Sequence, residues 1–545
     1  RDTNAGYVSF ESDSTIVEKL SGLFPIFFFL IAALVCSTTM TRMIDDERTQ
    51  IGTLRALGYS RGSILAKYLL YSGSAAALGC VIGYFAGGYV FPFVIWTAYG
   101  MLYSIPGFVI LYDPVLFVIA LAASLLCSAG TTYLALRIEM QNMPANLIRP
   151  KTPAAGKRIF LERITPLWKR LKFLHKVSLR NIFRFKKRMI MMILGIAGCT
   201  ALVLTGFGIH DSVANIANFQ FDDIQKYDVS AQFSDTLTED KINEVESDHK
   251  SELDAVTAVQ MTSGDVTGDS ITKSAYIVAS DDPAITDIFD LHIDGKTVPY
   301  PGKGEVLLTE KLAELTDIKT GDTVTVSVSD TEKAELKVAG LVENYVQNYL
   351  YMTGETYAMV ADKGYEPKTL LLRVNDSADE YALSAALSKT DGVSSVSVVT
   401  DTRNMIDQMM QSLNYVVALV LISAGALAFI VLFNLGNINL TERVREIATI
   451  KVLGFHSGET GAYVFRENII LSMMGIVVGL PLGVLLHTFV LMQIRVDMVS
   501  FKAVIAPVSF LLTVVMVVLF TVITDLVMRK KIAKIDMAES LKSIE

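Results

Sequence analysis

Several kinds of chemistry lack the residues they need in this chain of 545 residues. There is no G-x-x-x-x-G-K-[ST] run, the loop that cradles ATP phosphates in P-loop proteins. There is also no H-E-x-x-H helix and no metal-type Cys/His spacing, and the six histidines are scattered. We therefore expect no catalytic, cofactor-binding or metal-binding residues in the chain itself, and no enzyme activity of its own.

Cysteine is scarce as well. The four cysteines lie in apolar segments, at Cys36, Cys80, Cys127 and Cys199, and residues 210–412 contain none. No disulfide framework can therefore hold that polar region together. Small buried thiols within helices are the simplest interpretation of the four.

Charge is distributed very unevenly, although the net charge is only −8. Residues 151–188 carry thirteen Lys or Arg and one acid, whereas residues 210–410 carry 37 acids and 15 bases. With 51% hydrophobic residues, this asymmetry indicates opposite sides of a membrane rather than nucleic-acid binding. The basic amphipathic segment suits the headgroup layer, so membrane lipids are expected partners and nucleic acid is not.

The apolar segments predict seven membrane spans, at about 22–41, 66–90, 114–136, 189–209, 413–434, 463–492 and 504–528. The excess of positive charge places 42–62, 137–188, 437–460 and 529–545 in the cytoplasm. Residues 210–412 then form an extracytoplasmic domain, and the C-terminus is cytoplasmic. Asp525 could be a functional acid within the membrane. Arg529, four residues later, favours a residue of the bilayer edge instead, and Glu467 and His487 are interpreted as edge residues as well.

The extracytoplasmic domain shows an α/β pattern. Alternation at 323–328 and 336–342 predicts strands, and 239–247 and 378–388 predict short helices. Residues 6–10 also predict a strand, so 1–21 is interpreted as the end of a preceding extracytoplasmic domain.

An internal repeat organises the chain. Residues 42–59 read RMIDDERTQIGTLRALGY, and residues 438–455 read INLTERVREIATIKVLGF, at a constant offset of 396. The Leu-Gly pair near the end of each stretch predicts a helix C-terminus. The same offset relates two sets of helix-packing glycines, which let a neighbouring helix approach closely: Gly79, Gly83 and Gly87, and Gly475, Gly479 and Gly483. A single copy could be an ordinary charged loop, but two copies in register favour a functional element.

The pattern E-R-x-x-I-x-x-L-[RK]-x-L-G-[YF] occurs at 47–59, and the second copy follows it with its acidic residue, Glu442, offset by one position. It resembles the FtsX-like permease domain of the FtsX/MacB/LolC group of ABC transporters. The stretches within 304–342 are similar to the extracytoplasmic domain of MacB-like permeases. The resemblance implies an α-helical polytopic membrane protein with two parallel FtsX-like repeats and one α/β extracytoplasmic domain. The domains are then 22–149 (first permease domain), 150–188 (linker), 189–209 (helix), 210–412 (MacB-like domain) and 413–542 (second permease domain).

In this family the repeated stretch is the coupling helix that docks on a separate cytoplasmic P-loop ATPase, which holds ATP and Mg. The apolar residues are expected to fill a groove of the ATPase and the basic ones to steer the contact. Carried onto this sequence, these residues are Arg48, Ile51, Leu54, Arg55, Leu57, Gly58, Tyr59, Arg445, Ile447, Ile450, Lys451, Leu453, Gly454 and Phe455.

The leading hypothesis is therefore a permease subunit in a bacterial plasma membrane that couples ATP hydrolysis to extrusion of a lipid, lipoprotein or peptide. The alternative is an ATP-independent scaffold or sensor that binds an extracellular partner through its acidic domain. A secondary transporter is disfavoured, because the spans offer no series of acids for a proton relay. The repeat further predicts that the natural protein has eight spans and two extracytoplasmic domains, of which this chain is the C-terminal part.

Overall fold

The computed structural model describes residues 5–100, 107–148, 176, 179–180, 182–183, 186–268, 271–329, 331–442, 444–454, 457–494 and 499–533. The chain forms two compact units. The helical unit comprises Glu18–Asp211, Tyr415–Gln493 and Ala503–Glu545, and the α/β unit comprises Arg1–Val17, Ser212–Asn414 and Ile494–Lys502. Most of the linker at 150–188 lies outside the described residues.

The helical unit consists of long apolar helices joined by shorter ones. In the first half they are α1 (Ala5–Asp46), α2 (Arg48–Ala56), α3 (Arg61–Tyr99), α4 (Pro114–Leu125), a π-helical turn (Leu126–Gly130), α5 (Thr131–Glu139), α6 (Pro144–Ile148) and α7 (Lys186–Ala214). In the second half they are α14 (Val399–Glu442), α15 (Val444–Val452), α16 (Ser457–Gln493) and α17 (Pro507–Ala533). Seven helical stretches of the described chain are long and apolar enough to cross a membrane, which confirms the predicted number.

The helices extend well beyond the predicted spans. Helix α1 runs from Ala5 to Asp46, so the strand predicted at 6–10 is wrong. Helix α14 begins at Val399, inside the region that was assigned to the extracytoplasmic domain. Hydropathy marks only the apolar centre of such helices, because their polar ends need no lipid contact.

The α/β unit is built on one nine-stranded sheet in the order β11-β1-β10-β2-β3-β9-β6-β8-β7. The strands are β1 (Val229–Phe233), β2 (Leu253–Thr267), β3 (Thr272–Ala279), β6 (Glu305–Thr309), β7 (Thr323–Ser327), β8 (Lys333–Val342), β9 (Tyr349–Met352), β10 (Thr369–Val374) and β11 (Val393–Val398). A small hairpin, β4 (His292–Ile293) with β5 (Lys296–Thr297), lies beside it.

Helices connect and cover these strands. They are α8 (Ile216–Asn218), followed by a π-helical turn (Phe219–Ile224), α9 (Glu239–Asp248), α10 (Ile285–Ile288), α11 (Glu310–Thr316), α12 (Gly354–Val360) and α13 (Glu380–Leu387). The strands predicted at 323–328 and 336–342 and the helices predicted at 239–247 and 378–388 are thereby confirmed, each within a few residues.

Strand β2 belongs to two sheets at once. Its first part pairs with β10, and its last residues, Asp265–Thr267, pair with β7. Strands β2, β3, β9, β6, β8 and β7 thus close on themselves into a small barrel, while β11, β1, β10 and β2 form a four-stranded antiparallel sheet. Gly264 permits the closure, because a Cβ there would lie 2.7 Å from the Ser327 carbonyl oxygen.

Each part of the sheet has its own apolar core. The barrel is filled by residues that include Ile277, Val306 and Val338, each 0% exposed. The four-stranded sheet packs against α9 and α13 through a second cluster that includes Ala231, Leu370 and Leu383. Alternation of inward apolar and outward polar residues along each strand produces these cores.

The segment between α16 and α17 is bonded into the α/β unit, which the sequence did not predict. Ser500 N–H donates to the Tyr345 carbonyl at 2.9 Å, and Lys502 Nζ donates to Glu343 Oε2 at 2.8 Å. Tyr345 Oη also donates to Glu343. Burial would raise the pKa of the Glu343 carboxyl, but the bonds from Lys502, Tyr345 and the Asp294 N–H together hold that pKa below its usual value.

The Glu343 carboxylate should stabilise the α/β unit in a pH-dependent way. Because its pKa is lowered in the folded chain, the stabilisation is present above the ordinary Glu pKa and is lost as the pH falls through the folded value. We expect Glu343→Gln to lower stability at pH 7 by about 1–2 kcal/mol, and the gap to close below about pH 4. Thermal melting of the purified chain at a series of pH values measures this gap. Glu305→Gln, which breaks the exposed pair with Lys337, is the matched control and should show almost no gap.

Candidate functional site

The two short helices, α2 and α15, are each held by one buried face. Ile51 is 0% exposed and lies in an apolar cluster with Met40, Ile44, Ile64, Tyr68, Leu136, Met140 and Leu147. A Cβ on Gly52 would come within 2.9 Å of Leu147 Cβ, so α2 lies directly against α6. In the second repeat Ile447 is also 0% exposed and packs with Leu440, Phe465, Met528 and Ile532.

Both short helices end at the predicted Leu-Gly pair. Gly58 has φ +93° and Gly454 has φ +94°, the left-handed conformation that favours glycine. The Gly58 N–H donates to the Arg55 carbonyl at 3.2 Å and the Tyr59 N–H to the Leu54 carbonyl at 3.1 Å, which is a Schellman motif. Gly454 N–H donates to the Lys451 carbonyl in the same way, at 3.0 Å.

A basic side chain on each short helix binds the end of the last span of its repeat. Arg55 Nη1 donates to the carbonyls of Met140 and Asn142, at 3.0 and 2.5 Å. At the equivalent position, Lys451 Nζ donates to the Ile532 carbonyl at 2.7 Å. The last carbonyls of a helix have no partner within the helix, and a cation there is stabilised by the helix dipole.

These contacts revise part of the predicted partner surface. Ile51 and Ile447 are buried inside the chain, so their side chains cannot fill a groove of another protein. Arg55 and Lys451 are engaged with carbonyls, and Arg48 Nε lies 2.6 Å from Glu139 Oε1. These residues therefore anchor the short helices instead of steering a partner. The Arg445 side chain and Phe455 lie outside the described residues.

The ends of the short helices present apolar side chains to solvent. Leu57 is 72% exposed and Tyr59 is 57% exposed, and Leu453, at the position equivalent to Leu57, is 71% exposed. Leu54 and Ile450 are half-buried. Val452, 58% exposed, extends this surface in the second repeat. Comparison of the two repeats did not single out Val452, because the first repeat has a small residue, Ala56, at the equivalent position.

The two repeats touch at equivalent positions. Arg42 Nη1 donates to the Ile438 carbonyl at 2.6 Å, and these residues are related by the repeat offset of 396. Asn434 Nδ2 donates to Thr39 Oγ1 at 2.8 Å nearby. Contact between equivalent residues places the local pseudo-two-fold axis between α1 and α14, as two parallel repeats require.

Comparison with known proteins agrees with this arrangement. The family model described as FtsX-like permease C-terminal matches residues 22–140 and 418–537, one segment for each repeat. Both repeats are therefore FtsX-like permease segments. The α/β unit and α7 of this permease fall largely within a second match, to the MacB-like periplasmic core domain, over residues 189–390.

Two solved structures resemble the permease over its α/β unit. One is the extracellular domain of the noncanonic ABC-type transporter YknZ from Gram-positive bacteria, at 16% identity over 32% of this chain and 98% of that chain, with a TM-score of 0.24. The other is the periplasmic region of MacB from Actinobacillus actinomycetemcomitans, at 14% identity over 34% of this chain and 94% of that chain, with a TM-score of 0.24. No curated protein matches the chain.

The two glycine ladders of this FtsX-like permease have different surroundings. In the second repeat, α7 packs tightly against the ladder: a Cβ on Gly475 would lie 2.5 Å from Ile196, and one on Gly479 would lie 2.6 Å from Thr200 Cβ. Gly483 faces Leu204 at 2.9 Å. In the first repeat, a Cβ on Gly79 or Gly83 would meet no atom of the described chain within 4 Å, and Gly87 faces only Phe91 of its own helix, at 4.0 Å.

A buried polar chain crosses the second repeat. Asn439 Nδ2 donates to Asn468 Oδ1 at 2.5 Å, and Asn468 Nδ2 donates to Asp525 Oδ1 at 2.8 Å. Asp525 is 7% exposed and Glu467 is 0% exposed, so both side chains are buried within the protein. His487, 1% exposed, is buried as well and faces Gly208.

Among the described residues, no group of three or more His, Cys, Asp and Glu side chains could hold a metal ion.

Leucine should have opposite effects at the equivalent glycines Gly479 and Gly83. Gly479→Leu forces a side chain into the Thr200–Ala197 contact, and we expect a loss of about 1–3 kcal/mol or more. Gly83→Leu meets open space and gains helix propensity, so stability should be unchanged or slightly higher. Thermal melting of the two purified variants tests this difference. Equal destabilisation would show that the glycines do not act through the contact with α7.

Proposed function

We propose that this chain is the permease subunit of an ABC transporter, and that a separate cytoplasmic P-loop ATPase docks on α2 and α15. The observation that carries the proposal is the repeated pairing of a buried, anchored face with an exposed Leu-Gly end. Exposed leucines at equivalent positions of two repeats offer two similar apolar contacts, as a pair of ATPase subunits would need. ATP and Mg belong to that partner, and the permease is non-catalytic.

The anchors explain how a push on a short helix would reach the membrane. Arg55 ties α2 to the end of α5, and Tyr68 Oη on α3 donates to Glu47 Oε2 at 2.6 Å, at the start of α2. Ile51 fills the space between them. A force on Leu57 is therefore transmitted to several spans at once, because the packed cluster resists deformation.

The same proposal assigns sides and cargo. The protein lies in a bacterial plasma membrane, with α2, α15 and the C-terminus in the cytoplasm and the α/β unit outside. The positive-inside distribution of Lys and Arg supports these sides, and anionic lipid would hold the basic linker at 150–188. Family resemblance favours a lipid, lipoprotein or peptide as the molecule extruded, with an extracellular protein as a further partner of the α/β unit.

The double variant Leu57→Asp with Leu453→Asp should abolish coupling. A charge buried at the centre of an apolar contact costs at least about 2 kcal/mol at each site, which weakens docking by more than about tenfold per site. We expect a P-loop ATPase to purify in stoichiometric amount with the wild-type chain and to be lost from the variant, together with stimulated ATP hydrolysis. Mass spectrometry of complexes from native membranes reports the first result, and phosphate release reports the second.

The matched control is Met359→Asp, an apolar residue of the α/β unit that is 52% exposed. It should retain the ATPase, because its side chain lies on α12 of the α/β unit and is not part of either short helix. Retention of the ATPase by the double variant would contradict docking on α2 and α15. Absence of any ATPase from the wild-type complex would favour the scaffold or sensor function instead.

A further inference from the structure

The α/β unit contains a ligand-sized cavity of about 380 Å³. Known small-molecule sites fall between about 300 and 1,000 Å³. One wall consists of Tyr276 and Tyr349, whose ring centres are 5.7 Å apart, with Met261 beside them on β2. The lining also includes Thr402 and Ile406 at the start of α14 and Ser397 at the end of β11.

The lining carries no charge among the fourteen described residues that form it. It combines tyrosine, methionine, valine and isoleucine with glutamine, serine and threonine. Burial raises the pKa of the Tyr349 hydroxyl to about 12, so this residue is neutral as well. Residues 210–410 contain 37 acids, yet the cavity lining is uncharged. The cavity therefore favours uncharged ligands, because a charged ligand would leave water without gaining an ionic partner.

The backbone around the cavity has two uncommon features. Gln220 and Phe221 belong to the π-helical turn Phe219–Ile224. Such turns are rare in proteins, and those that occur are often found at functional sites. Gln347, also in the lining, has φ +63°, a left-handed conformation that is strained for a residue other than glycine. Asn344 Nδ2 holds this turn by donating to the Gln347 carbonyl at 2.8 Å.

An ion pair between Arg403 and Asp222 ties the start of α14 to the π-helical turn. Arg403 Nη1 and Nη2 lie 2.7 and 3.0 Å from the two carboxylate oxygens of Asp222. Nη2 also donates to Asn218 Oδ1 at 2.6 Å. The start of α14 and the π-helical turn are thus fixed as one rim, with the uncharged residues behind it.

We propose that this cavity binds an uncharged amphiphile: an aromatic or aliphatic group against the tyrosine and methionine wall, next to a carbonyl or hydroxyl group. The hydroxyls of Ser230, Ser397 and Thr402 and the Gln347 amide supply the hydrogen bonds. The site is distinct from the short helices, and binding there does not require ATPase docking.

Photolabelling of the full chain in lipid nanodiscs tests the proposal. Benzophenone, an uncharged diaryl ketone, has the required chemistry, and 4-benzoylbenzoate is the same molecule with a carboxylate. After irradiation, mass spectrometry of peptides should find benzophenone on Met261 in preference to Met405 and Met359, exposed methionines of the same unit. Labelling of Met261 by 4-benzoylbenzoate should be weaker than labelling by benzophenone by at least roughly tenfold.

Filling the cavity should remove the label. Ser397→Trp, or Thr402→Trp from the helical side, should reduce labelling of Met261 at least tenfold and leave Met405 unchanged. Ser395→Trp, on the same strand but outside the lining, is the matched control and should label like wild type. Labelling of Met261 no stronger than that of Met405, or labelling that survives both filling variants, would overturn the proposal. Wild-type labelling in Leu57→Asp with Leu453→Asp would show that the cavity acts independently of the proposed ATPase docking.

Discussion

One interaction determines how the membrane part of this protein can work: a basic side chain on each short helix binds the unpaired carbonyls at the end of the last span. Without Arg55 or Lys451, each short helix would lose these hydrogen bonds to the end of the last span. With them, and with one isoleucine buried beneath each helix, the short helix, its preceding span and its last span behave as one body. The exposed Leu-Gly end is the part left available for contact with another molecule.

The two repeats share this scaffold and differ in chemistry. Ser72 of the first repeat corresponds to Asn468 of the second at the offset of 396, and Thr132 corresponds to Asp525 at an offset of 393, which applies toward the end of each repeat. In the first repeat these hydroxyls bond to backbone, as Thr132 Oγ1 does by donating to the Ser128 carbonyl at 2.7 Å. In the second, two amides and a carboxyl form a buried chain. Burying an acid within a membrane helix costs free energy, and such acids are usually functional. The second repeat therefore has a buried acid, Asp525, where the first repeat has only a hydroxyl.

Much of this architecture could be predicted because the repeat is long and in register. The spans, both short helices, their Leu-Gly ends and the α/β character of residues 210–412 follow from periodicity and glycine positions. The roles of single side chains could not be predicted. The same helix offers Ile51 inward and Leu57 outward, and only three-dimensional packing distinguishes these two apolar residues. Likewise, Asp525 is close in sequence to Arg529, yet Asn468 on another helix is its partner. The loop before α17 joins the α/β unit through contacts that have no sequence pattern.

The sheet order of the α/β unit has a consequence for synthesis of the chain. Strand β1 pairs only with β10 and β11, whose residues lie about 140 or more positions later in the sequence. The whole barrel is made between these partners. During translocation the first part of β2 and one edge of β1 therefore stay unpaired until β10 has emerged, and the other edge of β1 stays unpaired until β11 has emerged. Pairing over this range is intrinsically slow. Biogenesis of this protein should accordingly depend on factors that shield exposed strands outside the membrane before the domain has folded.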